Sequence, residues 1–141
     1  MTEAQEKELR AMRKAYDVFV GKISGNPAEI NENMVAIRPW KPGKYALGDV
    51  RMYYGVPYKC VQAHESTITN DWTPEDTPAL WMQYHGTSVE TARAWIAPTG
   101  AHDMYKAGEY MIFTDTHMYL CKSDTAYSPS DYPAAWEQVT A

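Results

Sequence analysis

Along residues 2–24 the apolar positions Leu9, Met12, Tyr16, Phe19 and Ile23 are spaced three, four, three, four. That is the period of an α-helix with one apolar stripe, and it matches the a/d seam of a heptad. Thr2 followed by Gln5 has the form of a capping box at the helix start, and Gly25 then Pro27 stop it. Asn26, Pro27 and Glu29 then suit the cap, first and third positions of a second, short helical turn ending near Met34. From residue 40 the period changes. "GDVRMYY", "YKCVQAH" and "WMQY" are short alternating runs separated by Gly and Pro, the pattern of small β-strands. Alternation sets Tyr58, Cys60 and Gln62 on one face of the second run and Lys59, Val61 and Ala63 on the other.

The strand pattern then repeats. "DWTPEDTPALW" at 71–81 returns as "AYSPSDYPAAW" at 126–136, with Trp72, Pro74, Pro78 and Trp81 answered by Tyr127, Pro129, Pro133 and Trp136, all at an offset of 55 residues. "YALGDVRMY" returns as "YKAGEYMIF", and Tyr58 and Cys60 return as Tyr119 and Cys121 at an offset of 61, the difference falling in loops. A period of this size marks tandem units. The expected architecture is mainly β: an N-terminal α-helix followed by two tandem small three-stranded antiparallel β modules. Residues 1–36 form the helical segment, 37–84 the first module, 85–94 a linker able to carry a helical turn, and 95–141 the second module.

Composition supports that division. The chain has 141 residues with 5 Trp, 11 Tyr and 2 Phe, and 16 of these 18 rings lie in the repeated part, where Leu occurs only at 47, 80 and 120. A small module poor in aliphatics builds its core from rings, which favours strands. The formal charge of −5 disfavours nucleic acid and anionic membranes as partners. No apolar run is long enough for a transmembrane helix, and the charged start "MTEAQEKELR" lacks the core of a signal peptide, so synthesis in the cytoplasm is expected. Cys60 and Cys121 hold equivalent positions in separate units, which reads as buried small residues on matching strands rather than a disulfide or a metal pair.

The elements Trp40, Tyr45, Gly48, Asp49, Gly55, Tyr58, Cys60, Trp72, Pro74, Pro78 and Trp81, taken in order, resemble the chitin-binding type 3 modules, carbohydrate-binding module families 5 and 12. "YKCVQAHES" followed by "DWTPEDTPALW" is especially similar to the module attached to bacterial chitinases. The second copy is a weaker match, with Glu109 for Asp and Tyr127 for Trp. The resemblance implies a compact three-stranded antiparallel module whose sugar-binding surface includes an exposed ring in the proline loop. It implies carbohydrate-binding positions at Trp72, Pro74, Pro78 and His64, and at Tyr127, Pro129 and Pro133 in the second copy, which has no matching His. Tandem copies behind a helix, with no catalytic domain, are also similar in layout to small tail-associated proteins of phages of Gram-positive bacteria.

A planar ring stacks on the axial C–H face of a sugar, and prolines hold such a ring outward at low entropic cost. Against this stands packing of every ring in the core. Trp81 and Trp136 fit the core, against Tyr58 and Tyr119; Trp40 and Trp95 also fit packing roles. Trp72, in a polar loop beside Asp71 and Thr73, fits exposure. Tyr127 fits both, and His64 fits a hydrogen-bonded structural role as well as a ligand contact. No protease, hydrolase or phosphate-loop motif occurs, the four histidines (His64, His85, His102, His117) lack metal-ligand spacing with the cysteines, and no cofactor is implied. Modules this small are not expected to form a cleft of roughly 300 Å³. The reading is a non-catalytic protein binding a cell-surface or insoluble polysaccharide, placed in a virion as a phage-tail component beside other tail proteins. The helix pairs either with the rest of its own chain or with other copies, giving a homo-oligomer, a trimer included. The alternatives are a structural adaptor in a virion tail whose aromatic loops contact protein, and an accessory subunit of a glycoside hydrolase.

Overall fold

A computed structural model describes residues 2–67, 69 and 72–140. Helix α1 spans Glu3–Ile23. The Thr2 hydroxyl accepts the Gln5 amide at 3.1 Å, and the Gln5 side chain accepts the Thr2 amide at 2.9 Å, so the expected capping box forms. Helix α2, Pro27–Glu32, starts at Asn26, whose side chain accepts the Glu29 amide at 3.2 Å, and a 3₁₀ turn at Met34–Ala36 comes next. The C-terminal half of α1 is docked: the Arg13 guanidinium donates to the Ala36 carbonyl and Arg38 to the Asp17 carboxylate. Val20 and Ile23 are buried with Ile30, Ala36, Ile37, Val50 and Tyr84, and the Tyr84 hydroxyl donates to the Ser24 carbonyl at 2.5 Å. Val20 lies off the predicted stripe, because the docking face is set by the strand and turn beneath it. The rest of the stripe stays in solvent: Leu9, Met12, Tyr16 and Phe19 are 49%, 51%, 44% and 40% exposed.

Five strands come after the helices: β1 Gly43–Tyr45, β2 Val50–Tyr53, β3 Val56–Cys60, β4 His64–Ser66 and β5 Trp81–Gln83. An antiparallel sheet has the order β2-β3-β5, as the three alternating runs predict. Its hairpin closes on Tyr54 and Gly55, both at positive φ (48° and 78°), the two-residue turn that matches strand twist. Strand β3 stops at Cys60 instead of running on to His64. The chain bends there, the Cys60 thiol donating to the Gln62 carbonyl at 3.1 Å, and then pairs β4 with β1 as a separate two-stranded ribbon. Rings fill the core between them: Tyr45, Tyr58 and Trp81 close over Cys60.

The remaining strands are β6 Arg93–Ala94, β7 Tyr110–Ile112, β8 Met118–Cys121 and β9 Trp136–Val139. They form one sheet in that order, with β6 parallel to β7 and the other pairs antiparallel. It therefore has four strands, one parallel, where three antiparallel strands were expected. The extra strand comes from the predicted linker. Within residues 85–94, His85 is buried, Gly86 pairs with Tyr110, residues 89–91 form a turn, and Arg93–Ala94 join the sheet edge.

Hydrogen bonding in the two sheets corresponds residue by residue. Gly48 and Gly108, at φ 92° and 95°, donate to the carbonyls of Cys60 and Cys121, both at 2.8 Å. Asp49 and Glu109 each accept a backbone amide three residues back at 2.8 Å. Cys60 pairs with Trp81 and Cys121 with Trp136 across the ladder. Where Tyr45 pairs with His64, Tyr105 pairs with Thr125 in a single bridge. Both cysteines are buried free thiols, as expected, and burial pushes Cys121 up to about 11.

The two sheets meet at a polar junction. The His85 Nδ1 donates to Glu109 Oε1 at 2.8 Å, and its ring stacks on Tyr105 at 3.7 Å. Arg93 donates to the Tyr84 carbonyl and to Asn31 Oδ1, both at 2.6 Å, and Asn31 donates to the His85 carbonyl at 3.0 Å.

Candidate functional site

Trp72 stands in the loop between β4 and β5 and is 40% exposed. Thr73 organises the remainder of that loop. Its carbonyl accepts the Asp76 and Thr77 amides, both at 3.2 Å, and the Thr77 hydroxyl at 2.7 Å, while its own hydroxyl donates to Asp76 at 2.9 Å. The Leu80 amide then bonds back to Thr77 at 2.9 Å, so the loop is two consecutive turns. Pro74 is fully buried at the first turn and Pro78 exposed at the second. The buried proline fixes φ and anchors the loop one residue beyond Thr73. Trp81 closes it at 1% exposure, edge-on to Tyr45 at 4.9 Å. One loop thus holds one indole out and the other in, as the sequence suggests. Asp71 lies outside the described residues.

His64 is half-buried near Trp72. Its ring is 6.4 Å from Trp72, 5.5 Å from Trp81 and 5.7 Å from Tyr45. Nδ1 donates to the Gln62 carbonyl at 2.7 Å, and Nε2 is buried with no partner among the described residues. His64 thus lies among the rings of Trp72, Trp81 and Tyr45.

The second loop repeats the arrangement. Tyr127 is 63% exposed, Pro129 is buried and Pro133 exposed. The Ser128 carbonyl accepts the Asp131 and Tyr132 amides at 3.1 and 2.8 Å, as Thr73 does in the first copy. Trp136 anchors this loop through its indole N–H, which donates to the Tyr127 carbonyl at 3.0 Å. Trp40 and Trp95 are half-buried, packed against the ring clusters around Tyr45 and Tyr105, as the packing reading expects.

Among the described residues no three His, Cys, Asp or Glu side chains gather as a metal site, and no helix is long and apolar enough to cross a membrane. Sequence reasoning missed a cleft between residues of the β2-β3-β5 sheet and the segment around Trp95. It has a volume of about 420 Å³ and is lined by Tyr53, Tyr54, Tyr58, Glu75 and Gln83 from one side and Trp95 from the other. Its lining comes from residues 53–83 and 94–96 together, so the size of either stretch alone argued against it. A legible signal did exist: Tyr54 occupies a turn position that normally takes Asn, Asp or Gly.

Comparison with known proteins bears on the first loop. Residues 39–82 match the model for carbohydrate-binding module family 5/12. A stretch of 45 residues, 31% of this chain, is 47% identical to Streptogrisin-C of Streptomyces griseus and covers 9% of that protein. The chain thus spans under a tenth of that relative's length. Among solved structures, a family GH18 chitinase from Chromobacterium violaceum is 27% identical with a TM-score of 0.33, over 43% of this chain and 16% of that one. Trp72 with its proline loop lies inside the matched residues 39–82.

Proposed function

We propose that the chain is a non-catalytic protein that binds an insoluble or cell-surface polysaccharide through two tandem modules, residues 37–84 and 95–141. The reading rests chiefly on Trp72, an indole left 40% exposed on a loop pinned by a buried proline inside a matched carbohydrate-binding module. An exposed rigid ring stacks on a sugar face without first being ordered, so little conformational entropy is lost on binding. Trp72 and Tyr127 are the stacking rings. Pro74 and Pro129 pin their loops, Pro78 and Pro133 stiffen the outer turns, and His64 supports Trp72.

The solvent-facing stripe of α1 supports self-association, a trimer included, which would multiply weak single-site contacts into avidity. The layout of helix and repeats supports a place in a phage tail, beside other tail proteins, after synthesis in the host cytoplasm. The second reading, a virion adaptor whose aromatic loops pack on protein, draws on the same exposed stripe. Co-sedimentation with chitin, cellulose and Gram-positive cell walls separates them. Sugar binding predicts retention on at least one polymer; the adaptor predicts retention on none.

A further inference from the structure

We infer that the cleft between the two modules is a second saccharide site, shaped for a neutral or amino-sugar pyranose. The inference rests on the carbohydrate reading above and adds a site that neither proline loop's exposed ring contributes to. Its volume of about 420 Å³ lies within the ~300–1,000 Å³ common for small-molecule sites, which favour domain junctions.

Both modules supply braced rings. Tyr54 is 88% exposed and is held at φ 48°, a left-handed conformation that costs a non-glycine residue roughly 1–2 kcal/mol. Nothing in the fold requires a large ring there. Tyr53 meets it edge-on at 4.6 Å and is itself backed by Trp40 at 5.8 Å. From the other module, Trp95 lies stacked on Tyr105 at 5.1 Å and edge-on to Trp136 at 6.2 Å, so its position is fixed by the core. Such rings offer faces and edges to sugar C–H groups without reorganising.

Polar groups on the same lining are uncommitted. Gln83 Oε1 is buried behind the lining, out of a ligand's direct reach, without a partner among the described residues. The Tyr58 hydroxyl and the Glu75 carboxylate make no hydrogen bond or ion pair among the described residues. Burial and the Glu75 charge push the Tyr58 phenol up to about 12, so it stays protonated and able to donate. A carboxylate and a phenol suit the hydroxyl and amino groups of a sugar. The Glu75 charge, in a chain of formal charge −5, repels uronates and sulfated glycans.

The test is NMR titration of the full chain with soluble hexamers of N-acetylglucosamine, glucose and galacturonate, following the indole N–H signals. The Trp95 signal reports the cleft and the Trp72 signal reports the proline loop. The expected result is a saturable shift at Trp95 with a neutral or amino-sugar hexamer and none with the galacturonate hexamer. Glu75→Gln and Tyr54→Asn should each raise the Kd read at Trp95 about tenfold, for loss of a charged hydrogen bond or a stacking ring. Asn tolerates positive φ, so Tyr54→Asn keeps the turn. A shift at Trp72 with none at Trp95 overturns the cleft and leaves the proposed function standing. Silence at both signals overturns both. Unchanged Kd at Trp95 in both variants, or equal binding of the galacturonate hexamer, also overturns the inference.

Discussion

Trp72 and Trp81 are nine residues apart and belong to different physical regimes. Trp81 touches the rings of Tyr45 and His64 and is 1% exposed. Trp81→Ala should cost about 3–5 kcal/mol, the range for an emptied aromatic core position. Trp72→Ala should cost about 1 kcal/mol or less, because much of the ring is already in water. Urea midpoints of the two variants measure the difference. Gly86 is constrained by its neighbours: a Cβ there would meet the Thr91 carbonyl oxygen at 2.3 Å and the Ala92 Cα at 2.7 Å. Gly86→Ala must displace backbone, and about 1–3 kcal/mol of destabilisation is expected. Gly21, in α1 with nothing within 4 Å of a new Cβ, is the control; Gly21→Ala should stabilise by about 0.5–1 kcal/mol.

At the scale of elements, the features readable in the sequence were local ones. The caps of α1 and α2 join residues three apart, and the β2–β3 hairpin closes over two residues, so each is written in a short window. The β1–β4 ribbon was hidden because each strand has three residues, too few to show alternation, and its partners lie about twenty residues apart. Strand β6 was hidden because two residues gain strand geometry only from the edge of β7. The proline loops and their outward rings were legible because proline acts on its own backbone. The docking face of α1 was only half legible, since Ile23 keeps to the stripe and Val20 does not. The free stripe leads to a prediction: Met12→Glu with Phe19→Glu should convert an oligomer to a monomer in sedimentation equilibrium, leaving the circular dichroism of the sheets unchanged. Helix docking is also pH-sensitive. The Arg38 guanidinium bonds to both Asp17 oxygens at 3.0 Å and holds that carboxyl below its ordinary 3.8. A depressed carboxylate contributes stability above its unfolded pKa and loses it as pH falls through the folded value. The contribution should therefore fade below about pH 4, and only modestly, since 40% of the Asp17 side chain is exposed and solvent screens the pair. Asp17→Asn should flatten that part of a stability–pH curve.

Over the whole molecule, the β2-β3-β5 sheet and the β6-β7-β8-β9 sheet are joined through buried polar groups. His85 and Glu109 pair at 2.8 Å with side chains only 6% and 9% exposed, and Arg93 ties Tyr84 to Asn31 beside them. That junction joins the half of the chain that carries Trp72 to the half that carries Tyr127. Neither sheet alone reveals it, because its donors and acceptors are up to 62 residues apart. Sugar stacking at Trp72 is measured by a depletion isotherm on the polysaccharide that retains the wild type, run beside Trp72→Phe and Trp72→Ala. Weakened but measurable retention is predicted for Phe, which keeps a ring, and a loss of about tenfold or more for Ala, which does not. Equal retention of all three proteins would contradict a stacking role for the indole.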